Sequence, residues 1–312
     1  MGHLDYRFLA GKAFYHKLLA FTLLFLGMYI IVPLVFLIFS IPFVGMEAFE
    51  PVTVDSNMLN INLMKALQLF TQVGIFGVST WIFVRMQEDN VSQHLGLKRF
   101  SNIKTLLVSI ALLFCSLPLV YVSMEWNQNL PFPESLSGFK ESLMQQQARS
   151  EEMMEIFLNT SGIGGLLFNI FLIALIPAFF EEIFFRGALQ KLFFDRIKNV
   201  HISIIIVSIL FSAVHFQFFS FLPRFVLGLA LGYMAFYSGS LWTAIVAHAV
   251  NNGVSVVIAW MFYNGYTSYN YHEIGETPHW TITVLALVLS VIFVVFLRKK
   301  SSSNQSLSYD KS

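Results

Sequence analysis

The chain has 312 residues, of which 56% belong to the hydrophobic AVILMFWYC class, 16% are aromatic and only 12% are charged. Soluble domains carry about 25% charged residues, so this composition excludes a water-exposed globule and indicates a protein embedded in lipid. The net charge of +1 leaves no basic surplus to neutralise phosphates, which excludes nucleic acid as an expected partner.

Apolar stretches that lack Asp, Glu, Lys and Arg predict the membrane-spanning helices, since a span needs about 20 such residues. They comprise residues 18–46, 66–84, 105–124, 156–180, 199–223, 225–272 and 277–297. The stretch 225–272 is long enough for two helices, with a turn at residues 238–240. The sequence therefore predicts about eight spans.

The basic residues favour an arrangement with both termini in the cytoplasm. Fifteen of the 19 Lys and Arg residues then lie in cytoplasmic segments, whereas the outer loops hold Lys140 and Arg149, and Lys65 and Arg224 lie at outer helix ends. This distribution satisfies the positive-inside rule at every loop. The predicted fold class is all-α, a polytopic transmembrane helical bundle.

Four parts follow from these predicted elements. Residues 1–155 hold three transmembrane helices and an outer loop, in which residues 139–158 predict an amphipathic surface helix. Residues 156–263 form the core with the candidate motifs, and residues 264–300 contain the last transmembrane helix. Residues 301–312 predict a disordered cytoplasmic tail.

Charged side chains inside a membrane cost about 2.5 to 3.5 kcal/mol on insertion scales, so they mark candidate functional sites. The first motif contains Glu181, Glu182 and Arg186. Glu182 and Arg186 are four residues apart on one helix face and can pair, whereas Glu181 is turned about 100° away and lacks a local partner. Burial of an unpaired glutamate suits a general base. The structural alternative is an ion pair at a helix end.

The second motif is Phe211-Ser212-Ala213-Val214-His215. Lys198 lies 17 positions from both Glu181 and His215, so a helical hairpin that turns near residues 196–201 predicts both at one depth. A carboxylate and an imidazole at one level can orient a water molecule. The alternative is a hydrogen-bonded histidine in the core.

The third motif contains His248 and Asn252, which share a helix face. Their N–H groups are the donors that an oxyanion at a carbonyl needs, and Asn251 could substitute for Asn252. The alternative is polar contact between membrane helices. Counted from the turn at residues 238–240, His248 is expected to lie shallower than His215, unless helix tilt removes the difference.

The signatures EExxxR, FxxxH and HxxxN, in this order on successive spans, resemble the CPBP family of intramembrane proteases. That family groups the CAAX prenyl endopeptidases with bacteriocin-processing and bacteriocin-immunity proteins. The resemblance covers residues 156–253, and it includes Gly228, Gly232 and Gly239 between the second and third motifs. Residues 156–263 would then form a CPBP-type catalytic core.

The resemblance implies that Glu181 and His215 activate a hydrolytic water, that His248 and Asn252 stabilise the tetrahedral intermediate, and that Glu182 and Arg186 are a structural pair. No cofactor is favoured. A zinc ion bound by Glu181, His215 and His248 is the alternative, although HExxH is absent.

These features predict an intramembrane endopeptidase that cleaves a membrane-associated peptide or protein in the lipid bilayer, in a bacterial-type inner membrane. Two alternatives remain open. One is a catalytically idle bacteriocin-immunity or binding protein of the same fold, against which the presence of all four catalytic residues argues. The other is a proton-coupled transporter, although the internal repeat that would favour one is absent.

Overall fold

The computed structural model describes residues 7–46, 58–98, 100–277 and 279–303. This part of the chain contains helices and turns and no β-strand, as the composition predicts. The helices are α1 (Phe14–Val44), α2 (Met58–Arg85), α3 (Val91–His94), α4 (Ile103–Gln128), α5 (Ser137–Leu158), α6 (Gly162–Ile197), α7 (Val200–Ala213), α8 (Phe221–Ser238), α9 (Leu241–Tyr263) and α10 (Trp280–Ser303).

Seven of the described helices are long and apolar enough to cross a membrane: α1, α2, α4, α6, α8, α9 and α10. The chain is therefore an all-α, polytopic membrane protein. The fifth predicted span, residues 199–223, contains α7, which has only 14 residues and is not among these seven. The number of spans and the cytoplasmic placement of both termini thus stay predictions.

The prediction of one continuous helix over residues 199–223 is wrong. Helix α7 ends at Ala213, and Phe216 adopts the left-handed conformation with φ of 53°, which a helix cannot continue. A new helix, α8, begins at Phe221 and places Pro223 in its first turn, where the missing N–H of proline is tolerated. His215 consequently lies in the turn between two helices.

The outer helices present apolar side chains to the surroundings. Large side chains of α1 such as Leu23, Ile30 and Phe39 are more than half exposed, and α10 exposes Leu285 and Val291 in the same way. Such a surface is stable only in contact with lipid. Helices α1 and α10 therefore lie at the periphery of the bundle.

Helix α6 forms the centre of the described bundle. Its Phe184 stacks on Phe21 of α1 at 4.5 Å between ring centroids and meets Phe76 of α2 edge-on at 5.3 Å. The helix contains two π-helical stretches, Ile170–Leu175 and Ile183–Leu189, and α2 contains a third, Gln72–Val78. Stretches of this kind occur frequently at functional sites, and one of these directly follows Glu182.

Two glycines allow α8 to pack closely on its neighbours. A Cβ atom at Gly232 would lie 2.7 Å from Cγ2 of Ile204 on α7, and one at Gly228 would lie 3.0 Å from Cβ of Ser208. Both distances are shorter than ordinary carbon–carbon contacts. The close approach brings the carbonyl groups of Gly228 and Gly232 within reach of side chains on α6, as described below.

The predicted surface helix at residues 139–158 is present as α5, which ends at Leu158 and is mostly exposed. Lys65 fixes its end, because the Lys65 Nζ donates to Phe157 O at 3.0 Å and to Asn169 Oδ1 at 3.1 Å. Lys65 was expected at an outer helix end, but it is buried inside α2.

The predicted tail overlaps the described chain only in part. Helix α10 continues to Ser303, three residues into the segment 301–312 that predicts disorder. The rest of that segment, residues 304–312, lies outside the described residues.

Candidate functional site

The two adjacent glutamates of α6 are both buried but have different partners. Glu181 Oε1 accepts one hydrogen bond, from Gln72 Nε2 of α2 at 3.2 Å. Glu182 Oε1 accepts from Arg186 Nη1 at 2.7 Å and contacts His248 Nδ1 at 2.9 Å. Glu182 is thus held between two hydrogen-bond donors, the Arg186 guanidinium and the His248 imidazole. Among the described residues, Glu181 has no basic group within ion-pair distance.

The predicted ion pair between Glu182 and Arg186 is confirmed, and it is fully buried. Arg186 Nη2 also donates to the Gly228 carbonyl at 3.0 Å, and its guanidinium lies 4.6 Å from the ring centroid of Phe211. One turn further along α6, Gln190 Nε2 donates to the Gly232 carbonyl at 3.3 Å. These contacts hold α6 to α8 at two successive turns.

His215 follows the end of α7 in the turn that leads to α8. Its Nδ1 lies 2.7 Å from the carbonyl oxygen of Phe211. Since a carbonyl only accepts hydrogen bonds, Nδ1 carries the hydrogen, and Nε2 of the neutral ring is an acceptor. The left-handed backbone of the next residue, Phe216, is of the strained kind that clusters at functional sites.

His248 and Asn252 lie on one face of α9, as their spacing predicts. His248 is buried, and its contact with the Glu182 carboxylate means that Nδ1 donates. Asn252 Nδ2 donates to Ile173 O of α6 at 3.3 Å, and Asn251 Nδ2 donates to Asn252 Oδ1 at 3.1 Å. Both asparagines are therefore oriented by their neighbours.

A cavity of about 410 Å³ brings together the side chains from all three motifs. Its walls include Glu181, His215, His248 and both Asn251 and Asn252. Glu182 and Arg186 do not line it. The expectation that His248 lies shallower than His215 stays a prediction, although both side chains reach this one cavity. The other lining residues are Gln68, Gln72, Met154, Leu158, Ile173, Pro177, Phe211, Arg224, Leu227, Ser255, Val256 and Tyr271.

Five polar residues that line the cavity were not predicted from the sequence: Gln68, Gln72, Arg224, Ser255 and Tyr271. Gln72 donates to Glu181 from a helix with no motif of its own, and Tyr271 reaches the cavity from the loop before α10. Arg224 was expected to mark an outer helix end, but it lines the cavity. It had a sequence signal, because it is the only Asp, Glu, Lys or Arg between Lys198 and Glu273.

The geometry does not favour the zinc alternative. Glu181, His215 and His248 supply the types of ligand atom that zinc prefers, and all three line the cavity. However, no three His, Cys, Asp or Glu side chains are grouped as metal ligands in the part of the chain that is described. As they are arranged here, these three residues do not fit a metal ion.

A polar cavity with a glutamate, two histidines and two amides inside a bundle of apolar helices defines a polytopic membrane protein with an embedded hydrolase-like site. Residues 163–254, which hold all seven defining residues of the three motifs, match the family model of the type II CAAX prenyl endopeptidase Rce1-like proteins. The match is confined to this segment, and it confirms the predicted resemblance to membrane proteases of the CPBP type. No curated protein and no solved structure matches the chain.

Proposed function

We propose that the protein is an intramembrane endopeptidase that hydrolyses a peptide bond of a membrane-associated substrate. The observation that carries this proposal is the cavity that Glu181, His215, His248 and Asn252 line together. These four residues lie within the segment that matches an endopeptidase family. The four residues supply the two functions that peptide hydrolysis needs, activation of water and stabilisation of an oxyanion.

Glu181 and His215 activate the water in this proposal. Oε1 of Glu181 is engaged by Gln72, so Oε2 takes a proton from the water. Nε2 of His215 accepts the second O–H, because Nδ1 donates to Phe211 O. With both hydrogens held, a lone pair of the water oxygen is directed at the substrate carbonyl carbon.

The reaction then proceeds in two balanced steps. The water oxygen bonds to the carbonyl carbon while one proton moves to Glu181, which gives a tetrahedral intermediate with a negative oxygen. The C–N bond breaks, the carbonyl re-forms, and Glu181 returns the proton to the leaving nitrogen. The glutamate is general base first and general acid second.

His248 and Asn252 stabilise the negative oxygen. Because Nδ1 of His248 donates to Glu182, Nε2 can donate to the oxyanion only when the imidazole is doubly protonated. The Glu182 carboxylate holds His248 through Nδ1, so the Glu182–Arg186 pair acts on the reaction through His248. Asn252 provides the second N–H, since Nδ2 has one hydrogen beyond that donated to Ile173 O.

The substrate is a peptide segment at or within the bilayer. The name of the matched family refers to prenylated CAAX substrates, but the substrate of this chain is proposed only as a membrane-associated peptide, without a prenyl group. We also propose a bacterial-type inner membrane as its location, with both termini in the cytoplasm.

Substitution of the water-activating pair tests the proposal. Purified Glu181→Gln and His215→Ala proteins in detergent are expected to cleave membrane peptides about 10²- to 10⁴-fold more slowly than the unmodified chain, the usual range for a lost acid–base group. Their unfolding temperatures should stay close to that of the unmodified chain. His16→Ala, which changes an exposed histidine outside the cavity, serves as the matched control.

Full activity in Glu181→Gln would contradict the mechanism. A chelator arm addresses zinc separately: activity that disappears with chelator and returns with added zinc would replace the proposed mechanism by a metal-dependent one. Binding of membrane peptides without cleavage under any condition would favour the idle binding protein.

A further inference from the structure

Arg224 is a cation inside a candidate membrane-spanning helix, and the proposed mechanism does not use it. It lies in the first turn of α8 and is mostly buried. Cations at such depth are costly and are retained for a function by default. Its environment therefore indicates what it binds.

Arg224 stands at the junction of two cavities. A second cavity of about 550 Å³ adjoins the first, and both are lined by Met154, Arg224 and Tyr271. The second cavity is bounded by α5, by the end of α4 and by the loop before α10. Its remaining lining residues are Tyr121, Met124, Gln128, Gln147, Ser150, Glu151, Gln217, Ser220, His272 and Glu273.

The guanidinium of Arg224 is incompletely satisfied. Nη2 donates to the side-chain oxygen of Gln217, a neutral group. Nη1 is buried and has no hydrogen-bond partner, and no carboxylate of the described residues forms an ion pair with Arg224. Arg186, the other buried arginine of the core, is by contrast paired with Glu182.

A buried guanidinium with a free donor is complementary to an anion, and a carboxylate is the anion that a peptide can supply. We propose that Arg224 binds a carboxylate of the substrate peptide, either its C-terminal carboxylate or an acidic side chain near the cleaved bond. This inference rests on the proposed protease function. It makes Arg224 a residue that determines substrate specificity.

Other acidic residues restrict where a substrate carboxylate can bind, and they leave the junction of the two cavities, where Arg224 lies. Glu151 and Glu273 line only the second cavity, and like charges there would repel an anionic group. The first cavity contains Glu181, whose charge attracts Arg224. If Arg224 acted only through this attraction to Glu181, substitution of Arg224 would slow the cleavage of every peptide equally. A comparison of acidic with neutral peptides therefore tests whether Arg224 binds a carboxylate.

The experiment compares matched peptides that the full chain cleaves in a Glu181-dependent manner. One pair differs in a free C-terminal acid against a C-terminal amide, and a second pair differs in Asp or Glu against Asn or Gln close to the cleaved bond. The variants are Arg224→Gln and Arg224→Lys. Arg149→Gln is the matched control, since Arg149 is exposed on α5 and lines neither cavity.

We expect the unmodified chain to cleave the carboxylate-bearing peptide of one pair with a kcat/KM about 10- to 100-fold higher, mainly because its KM is lower. This ratio corresponds to the loss of one hydrogen bond to a charged group. Arg224→Gln should abolish this preference, Arg224→Lys should keep part of it, and Arg149→Gln should keep all of it. The pair that shows the preference identifies which carboxylate is bound.

The inference is overturned if the unmodified chain shows no preference in either pair, if the preference survives Arg224→Gln, or if Arg224→Gln slows acid and neutral peptides equally. A binding measurement distinguishes a failure of this inference from a failure of the proposed protease function. Affinities of the same peptides are measured for Glu181→Gln, with and without Arg224→Gln. Loss of carboxylate-dependent binding would support the inference even if no cleavage occurs, and its absence would contradict it.

Discussion

Nδ1 of His248 lies 2.9 Å from Oε1 of Glu182, so a single carboxylate oxygen joins two helices whose residues are 66 positions apart. The same oxygen accepts from Arg186 at 2.7 Å. Glu182 therefore connects a structural ion pair to a histidine of the cavity without lining the cavity itself. We propose that its role is to position His248, and this role can be separated from that of the neighbouring Glu181.

Substitution of Glu182→Gln is expected to reduce both stability and activity. The change leaves Arg186 buried without a counter-charge, and breaking a buried ion pair costs about 3 to 5 kcal/mol. Thermal unfolding in detergent measures the first effect, and peptide cleavage by the folded fraction measures the second. Glu141→Gln, at an exposed position of α5, should change neither quantity. An unaltered unfolding temperature in Glu182→Gln would show that the pair contributes little.

The two asparagines of α9 are expected to differ in their effect on catalysis. Asn252→Ala should lower kcat by about 10²- to 10³-fold, the usual loss for an oxyanion donor. Asn251→Ala should cost less, because in the proposed mechanism Asn251 only orients Asn252, through the hydrogen bond from its Nδ2 to Asn252 Oδ1. The values of kcat for both variants, measured by steady-state cleavage of one peptide, test this difference. A larger loss of kcat in Asn251→Ala would reverse the proposed roles, and equal losses would contradict them.

Gly232→Ala tests whether close packing of α7 and α8 supports the site. The added Cβ would lie 2.7 Å from Ile204 Cγ2 and 3.1 Å from Gln190 Oε1. Overpacking of this kind costs about 1 to 3 kcal/mol, so the unfolding temperature should fall.

The matched control is Gly27→Ala, since a Cβ at Gly27 in α1 would meet nothing within 4 Å. Replacement of an unhindered helical glycine by alanine stabilises by about 0.5 to 1 kcal/mol. The prediction fails if the two variants shift the unfolding temperature in the same direction.

Local geometry explains what the sequence could predict. The pairing of Glu182 with Arg186 and the common face of His248 and Asn252 follow from a four-residue spacing on a helix, and both are present. The class of fold followed from apolar stretch length. These inferences needed no knowledge of how the helices pack.

Contacts between helices could not be read from spacing. The bond between Glu182 and His248, and the hydrogen bond from Gln72 to Glu181, depend on which helices are neighbours. The break after Ala213 was missed because residues 199–223 contain no Asp, Glu, Lys or Arg, and hydropathy does not record a left-handed residue such as Phe216. Arg224 was assigned to a helix end from charge alone, whereas its burial depends on the second cavity.

The shortness of α7 bears on how a hydrolase in lipid is hydrated. A helix of 14 residues extends about 21 Å, which is about 9 Å less than the hydrocarbon thickness of about 30 Å. The irregular backbone that follows it cannot face acyl chains with its amides unsatisfied. Backbone of this kind is tolerated inside a membrane where it is buried in protein or lines a water-filled cavity, and water in the cavity that His215 lines would satisfy it. Since His215 lies at that point, the reactant would reach the imidazole without a continuous aqueous pore through the bundle.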